Sequence, residues 1–324
     1  MKLLLSLLLA GSLAAADGAG TTSFAQTYPD RTVRMIVPFP AGGATDVTGR
    51  ILAEELTARF KQTFVIENRP GAAGAIGIDQ VAKAKPDGYT LGVSGVGPTA
   101  IFPILDPKLS YNPARDLDMI AGLSSVTLAF LARPGFQASN MKELIDYARA
   151  NPGKVTFSTA GVAGPAQLQC ENLMLFAGIK MLHVPFPGDT PAITAVLSGD
   201  VDVALVAVAS SVGFVTGGKL KALGLGKLDK SLPNVKTVAE QTGFNGFTGY
   251  TWNVLVSAKG TPQDIIDKLN TAINEISAKP VFMAKLANVG LDVLPGSVKQ
   301  TADFVAGEAA TYKRVIEATG VKRE

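Results

Sequence analysis

An apolar run that breaks at a small-residue turn and resumes as a helical pattern constrains this chain more than any other feature. Residues 32–39 form such a run, ending at Pro38-Phe39-Pro40-Ala41-Gly42-Gly43. Val47, Ile51, Leu56 and Phe60 then recur at spacings of four or five, one face of a helix with Thr45 or Asp46 as its N-cap. A short strand follows at Phe64-Val65-Ile66, and Gly71 to Gly77 opens another helix. Lys85-Pro86-Asp87-Gly88 has turn chemistry, and Tyr89 to Ser94 reads as a strand. Strand–helix–strand alternation of this kind predicts a mostly parallel sheet covered by helices.

The alternation returns further on. Leu128 to Ala132, Val155 to Ser158, Met181 to Val184, Val201 to Val208, Leu220 to Leu225 and Asn253 to Ser257 read as strands. A helix over Met141–Ala150 carries Asn140 three residues before Glu143, a capping arrangement, and another spans Ala166–Ala177. Thr261-Pro262 reads as the N-cap and first position of a helix lined by Ile265, Leu269, Ile273 and Ile276. A last helix runs from about Val298 to Ala318.

At 324 residues the chain is long for one domain of roughly 100–200 residues. No Pro/Ser-rich linker separates two halves, so the chain is expected to cross between domains on strands, near Leu128–Pro134 and Gly249–Leu255. Such crossings are natural hinges.

Met1-Lys2, a short leucine-rich run and an Ala/Ser-rich tail read as a secretory signal peptide, cut after Ala16 or, preferably, after Ala25. The run is too short for a membrane span of about 20 apolar residues. Net charge is only +3, without a Lys/Arg block, which argues against nucleic-acid binding. One cysteine (Cys170) and one histidine (His183) exclude an internal disulfide, a Cys-based zinc site and a multi-His site within one chain. Neither a phosphate-binding glycine loop nor a serine-nucleophile elbow occurs. Ser94-Gly95-Val96-Gly97-Pro98-Thr99-Ala100 mimics a dinucleotide fingerprint, but Phe102-Pro103 is expected to interrupt the helix that motif needs.

Two turns carry the candidate chemistry. Phe39 to Asp46 and Ser158 to Gly164 each leave a strand and enter a helix, where free backbone N–H groups favour an anion. Each is also readable as an ordinary capped turn. Tyr28-Pro29-Asp30-Arg31, Gly42-Gly43-Ala44-Thr45-Asp46, Glu67-Asn68-Arg69-Pro70-Gly71-Ala72, Pro86-Asp87-Gly88-Tyr89-Thr90-Leu91, His183-Val184-Pro185-Phe186, Gly218-Lys219-Leu220-Lys221-Ala222-Leu223 and Gly260-Thr261-Pro262 together supply a further signal.

In that order the chain resembles the Bug family, the TctC-like periplasmic solute-binding components of tripartite tricarboxylate transporters. The resemblance implies an α/β chain with the type II periplasmic-binding-protein fold, two α/β domains joined by crossing strands around a ligand cleft. The expected division is signal peptide 1–25, domain one 26–131 plus 251–324, and domain two 132–250. It implies a carboxylate ligand held by Phe39, Ala41, Gly42, Gly43, Thr45 and Asp46 on one side, and by Ser158, Thr159, Ala160 and Gly161 on the other. Ser94 and the turn after Val206 flank the cleft, and Gln167 stands where many members carry His. Pro187 replaces a common Lys, and Pro165 stiffens the second loop, so ligand identity does not carry over. Expected partners are the small carboxylate and the transporter's membrane components, with a periplasmic monomer and neither cofactor nor metal. A solute-sensing receptor and, with less support, an enzyme on the same scaffold are the alternatives.

Overall fold

A computed structural model describes residues 28–322; the expected signal peptide lies outside these residues. The first strand, β1 (Val33–Val37), stops short of the expected Phe39. Pro38 and Pro40 have no N–H to donate to a ladder, so pairing ends there. The stripe of Val47, Ile51, Leu56 and Phe60 lies on helix α1 (Ala44–Phe60). Then come β2 (Phe64–Asn68), a 3-10 turn at Ala72–Gly74, α2 (Ala75–Ala82) and β3 (Thr90–Gly95). A π-helical turn (Gly97–Ile101) runs into α3 (Phe102–Leu105), followed by α4 (Pro113–Asp116). Pro103 does not break this helical stretch as expected: α3 follows the π-helical turn directly and ends two residues after Pro103, at Leu105.

The expected short strand at Leu128 is the end of a 16-residue strand, β4 (Leu117–Ala132). After it come α5 (Met141–Ala150), β5 (Thr156–Ala160), α6 (Pro165–Ala177), β6 (Leu182–Phe186), α7 (Asp189–Ser198), β7 (Val203–Ala207), α8 (Val208–Thr216), β8 (Lys221–Leu225) and α9 (Val238–Thr242). The chain closes with β9 (Tyr250–Ala258), α10 (Gln263–Ser277), α11 (Pro280–Ala287), β10 (Asp292–Val293) and α12 (Val298–Thr319).

Two capping expectations are corrected. Gly43, not Thr45 or Asp46, occupies the N-cap of α1, and no side chain caps it. Pro262, not Thr261, precedes α10, while the Thr261 hydroxyl donates to the Ala258 carbonyl at 2.8 Å. The Asn140 cap of α5 is as expected, its side chain accepting from the Glu143 N–H.

The strands form one continuous, mixed sheet in the order β2-β1-β3-β9-β4-β7-β5-β6. β2, β1 and β3 are parallel, as are β6, β5 and β7. Between these groups run the antiparallel β9 and β4. Strand β4 changes partner along its length: Leu117 to Thr127 pair with β9, whereas Leu128 to Ala132 pair with β7 and β8. The change falls between Thr127 and Leu128.

Four apolar clusters follow from this layout, one on each face of each sheet half. On the first half, Leu52 and Leu56 of α1 pack with Leu269 and Ile273 of α10 on one face. Ile78 and Val81 of α2 pack with Tyr312 and Val315 of α12 on the other. On the second half, Leu144 of α5 and Leu173 of α6 cover Phe130 and Phe157. Ile193 and Val196 of α7 cover Leu131 and Val206. Each half is therefore packed through a core on both faces of its part of the sheet.

Candidate ligand-binding site

The first loop is held by a buried acid. Asp46 is 1% exposed, although it sits one helical turn beyond the exposed residues Ala41, Gly42 and Gly43. Its Oδ2 accepts from the Gly42 N–H and from Arg50 Nε, both at 2.9 Å. Its Oδ1 accepts from Asn68 Nδ2 at 2.8 Å, and the same amide donates to the Phe39 carbonyl at 3.0 Å. Asp46 thus ties both ends of the loop and offers no open oxygen to an anion. Burial alone would push its carboxyl up, but Arg50, Gly42 and Asn68 together hold it below the usual carboxylate range. An acid stabilised this way supports the fold above its unfolded value near 3.9 and stops doing so as pH falls through its lower folded value. The stability gap between the protein and Asp46→Asn is therefore expected to shrink on going from pH 6 to pH 2.5 in urea titrations. A gap that stays constant contradicts this role.

Phe39 is half-buried, and its ring lies over Gly74. A Cβ on Gly74 would come within 3.2 Å of the Phe39 ring and 3.3 Å of Pro98, at a φ of +99°, so only glycine fits. Thr45 turns inward: its hydroxyl donates to Asn253 Oδ1 on β9 at 2.8 Å. Asn253 in turn donates to Ser124 of β4 at 3.1 Å, and Ser124 lies 2.8 Å from the Thr48 hydroxyl. This polar line fastens the start of α1 to both central strands. The first N–H groups of α1 lack intrahelical partners, and no side chain caps them. No Lys or Arg lies between Phe39 and Asp46, and Pro40 to Ala44 are exposed.

The second loop is built alike. β5 ends at the exposed Ala160, and Gly161 takes a φ of +100° with open space where a Cβ would stand. Gly164 is the N-cap of α6, again without a side-chain cap. Buried Gln167 reaches back to accept from the Ala163 N–H at 2.7 Å, fixing a turn in which Ala163 itself has a φ of +52°. Thr159 donates its hydroxyl to the Gly161 carbonyl at 3.1 Å and lies 2.8 Å from His183 Nε2. With that proton engaged, His183 Nε2 is the donor of the pair, which selects one tautomer of the ring. Burial pushes His183 down to about 4, so it is neutral near pH 7.

Ser158 and Ser94 point away from the strand ends. Both are fully buried; Ser158 donates to the Ala192 carbonyl at 3.1 Å, and Ser94 lies 2.6 Å from the Thr99 hydroxyl. The side chains of Asp46, Ser94, Ser158, Thr159 and Gln167 are therefore buried and engaged within the fold, while Ala41, Gly42, Gly43 and Ala160 are exposed and Gly161 is half-buried. Asn253 and Ser124 did not emerge from the sequence. The available signal was an amide and a serine pair inside otherwise apolar strands. Among the described residues, no group of three or more His, Cys, Asp or Glu side chains gathers to hold a metal, and no helix is long and apolar enough to cross a membrane.

The family model described as "Tripartite tricarboxylate transporter family receptor" matches residues 48–321. The chain belongs to that family. Protein BugT of Bordetella pertussis is 33% identical over 315 residues, 96% of each chain. Among solved structures, a TctC solute binding protein from Polaromonas superposes with a TM-score of 0.80 at 27% identity, over 90% of this chain and all of that one. MatC from Rhodopseudomonas palustris, with bound malate, gives 0.70 at 30% identity over 89% of this chain and 100% of its own. R. palustris Rpa4515 with adipate gives 0.74 at 26% identity, over 91% and 99%. The receptor family is periplasmic and binds solutes, and the fold is that of the two-domain periplasmic binding proteins.

Neither loop carries a Lys or Arg between Phe39 and Asp46 or between Ser158 and Gly164, so backbone N–H groups are the donors these loops present. A helix N-terminus favours a nearby anion by about 0.3–2 kcal/mol.

Proposed function

We propose that this receptor captures a small carboxylate between two domains and delivers it, as a monomer in the periplasm, to the membrane components of a tripartite transporter. Residues 26–131 with 251–324 form one domain, and 132–250 the other. The observation that carries this reading is the pair of uncapped helix starts, α1 after Gly43 and α6 after Gly164, each following a parallel strand on opposite sides of β9 and β4. One carboxylate group spanning two such helix starts favours closure, because only the closed form engages both. The malate and adipate bound by the family neighbours support the ligand class. No nucleophile–base pairing in the described loops favours an enzyme: the hydroxyl of Thr159 is engaged with the Gly161 carbonyl and His183, and Asp46 with its own loop.

Thermal unfolding against a panel of mono-, di- and hydroxycarboxylates and their amides tests the proposal. A carboxylate at 100 times its dissociation constant is expected to stabilise by about 2.7 kcal/mol, and its amide not at all. Stabilisation by neutral solutes alone overturns it.

A further inference from the structure

The second half of the cleft contains an acid that no cation offsets. Asp189 opens α7 just after β6, and its Oδ2 accepts from the Ala207 N–H at 3.3 Å and the Ser210 hydroxyl at 3.1 Å. Those partners lie where β7 ends and α8 begins. β6 and β7 are the two neighbours of β5, one on either side. To reach from the end of β6 to the end of β7, the Asp189 segment passes over the carboxyl end of β5, from which the Ala160–Gly161 turn emerges. Packing agrees: the Ala192 carbonyl, one turn along α7, receives the Ser158 hydroxyl of β5.

Among the described residues, Asp189 has no ion-pair partner and its Oδ1 has no hydrogen-bond donor. Burial pushes its carboxyl up, with the bonds from Ser210 and Ala207 only partly opposing this. A half-buried carboxylate without a counter-charge carries a desolvation cost, which Asp46 offsets with Arg50, Glu55 with Lys279 and Lys285, and Glu67 with Arg34, whereas buried Glu308 instead has both oxygens hydrogen-bonded, to Thr248 and Trp252. Its position beside the second loop is also the wrong sign for a plain dianion.

We propose that Asp189 is a specificity-determining residue of the cleft, its open oxygen accepting from an ammonium or hydroxyl group at the end of the ligand remote from the anchored carboxylate. This rests on the carboxylate reading above and narrows it to ligands carrying one acid end and one donor end. Ala207 and Ser210 hold the carboxylate in place, so that the donor meets a fixed acceptor.

Isothermal titration of the full chain with matched pairs decides the matter: succinate against 4-aminobutyrate, glutarate against 5-aminopentanoate, and adipate against 6-aminohexanoate. In at least one pair, the amino acid is expected to bind at least tenfold more tightly than the diacid. Asp189→Asn retains the volume and the acceptor for Ala207 and Ser210, and is expected to abolish that preference. Asp189→Glu retains the charge and is expected to keep it, which separates lost charge from lost folding. Preference for the diacid in every pair that binds, or an unchanged preference in Asp189→Asn, overturns the assignment while leaving the carboxylate reading standing. Failure of every acid in all pairs, alongside stabilisation by a neutral solute, overturns both.

Discussion

Replacing Gly43 with tryptophan is expected to weaken carboxylate binding at least 100-fold, a loss of about 2.8 kcal/mol, without unfolding the protein. Gly43 has a φ of −77° and a ψ of 166°, extended values that any residue adopts. The nearest atom to an added Cβ is the Pro40 carbonyl oxygen at 3.9 Å. The side chain therefore enters open space at the mouth of the first loop, and its indole covers the uncapped N–H groups of α1. A surface change of this kind alters stability by no more than about 0.5 kcal/mol. The melting temperature of the ligand-free variant is accordingly expected within about 2 °C of the parent. Gly43→Ala provides the contrast: a methyl group leaves the N–H groups reachable, and affinity is expected to stay within about threefold. A Gly43→Trp protein that folds and binds as tightly as the parent places the ligand elsewhere. Gly42 is the poorer target, because its φ of +90° penalises any side chain and mixes strain with occlusion.

How far this arrangement was legible in the sequence depended on whether the signal was local. Helix α5 was readable to the residue because Asn140 and Glu143 supply its cap from nearest neighbours. Helix α1 was readable from its apolar stripe, yet its cap was misassigned. Asp46 is drawn away from capping by Asn68, 22 residues distant, and Thr45 by Asn253, 208 residues distant. Helices α7 and α8 gave no usable pattern. Val208, Val212 and Val215 are β-branched and follow an apolar strand without a turn, so local preference continued the strand where packing against β4 and β7 makes a helix. The long strand β4 was hidden by Gly122, Ser124 and Ser125, which interrupt its apolar run. These interruptions have tertiary causes: a Cβ on Gly122 would lie 2.2 Å from the Leu294 carbonyl oxygen, and Ser124 belongs to the polar line from Thr45. At the site, the two glycine loops were legible as strand-to-helix turns. The directions of Ser94 and Ser158 were not, because pleat and register decide which face a hydroxyl meets.

The same reasoning locates the substitution expected to damage the molecule most. Leu128 is the residue at which β4 changes partners: its N–H donates to the Gly249 carbonyl, and its own carbonyl accepts from the Gly226 N–H, both at 2.9 Å. Gly226 and Gly249 are thereby pressed together at the second crossing. A Cβ on Gly226 would fall 1.6 Å from the Gly249 oxygen and 2.1 Å from its carbonyl carbon. Both are backbone atoms, so no side-chain rotation relieves the overlap. Ordinary overpacking costs about 1–3 kcal/mol, and a backbone clash at a crossing belongs at or above the top of that range. Gly226→Ala is expected to lose at least about 3 kcal/mol in urea unfolding, with a melting temperature lower by roughly 5 °C or more for a chain of this size. Gly307→Ala is the control. It lies inside α12 with nothing within 4 Å of the added methyl, and it is expected to gain about 0.5–1 kcal/mol from helix propensity. The crossing is also tied to the second candidate loop: α6 leaves that loop, and its Gln169 accepts from the Gly249 N–H at 2.7 Å and donates to the Tyr250 carbonyl at 3.1 Å. Whatever Gly226→Ala protein still folds must spread this crossing, so its carboxylate affinity is expected to fall along with its stability. A loss below 1 kcal/mol with unchanged affinity contradicts a close-packed backbone contact at Leu128, Gly226 and Gly249.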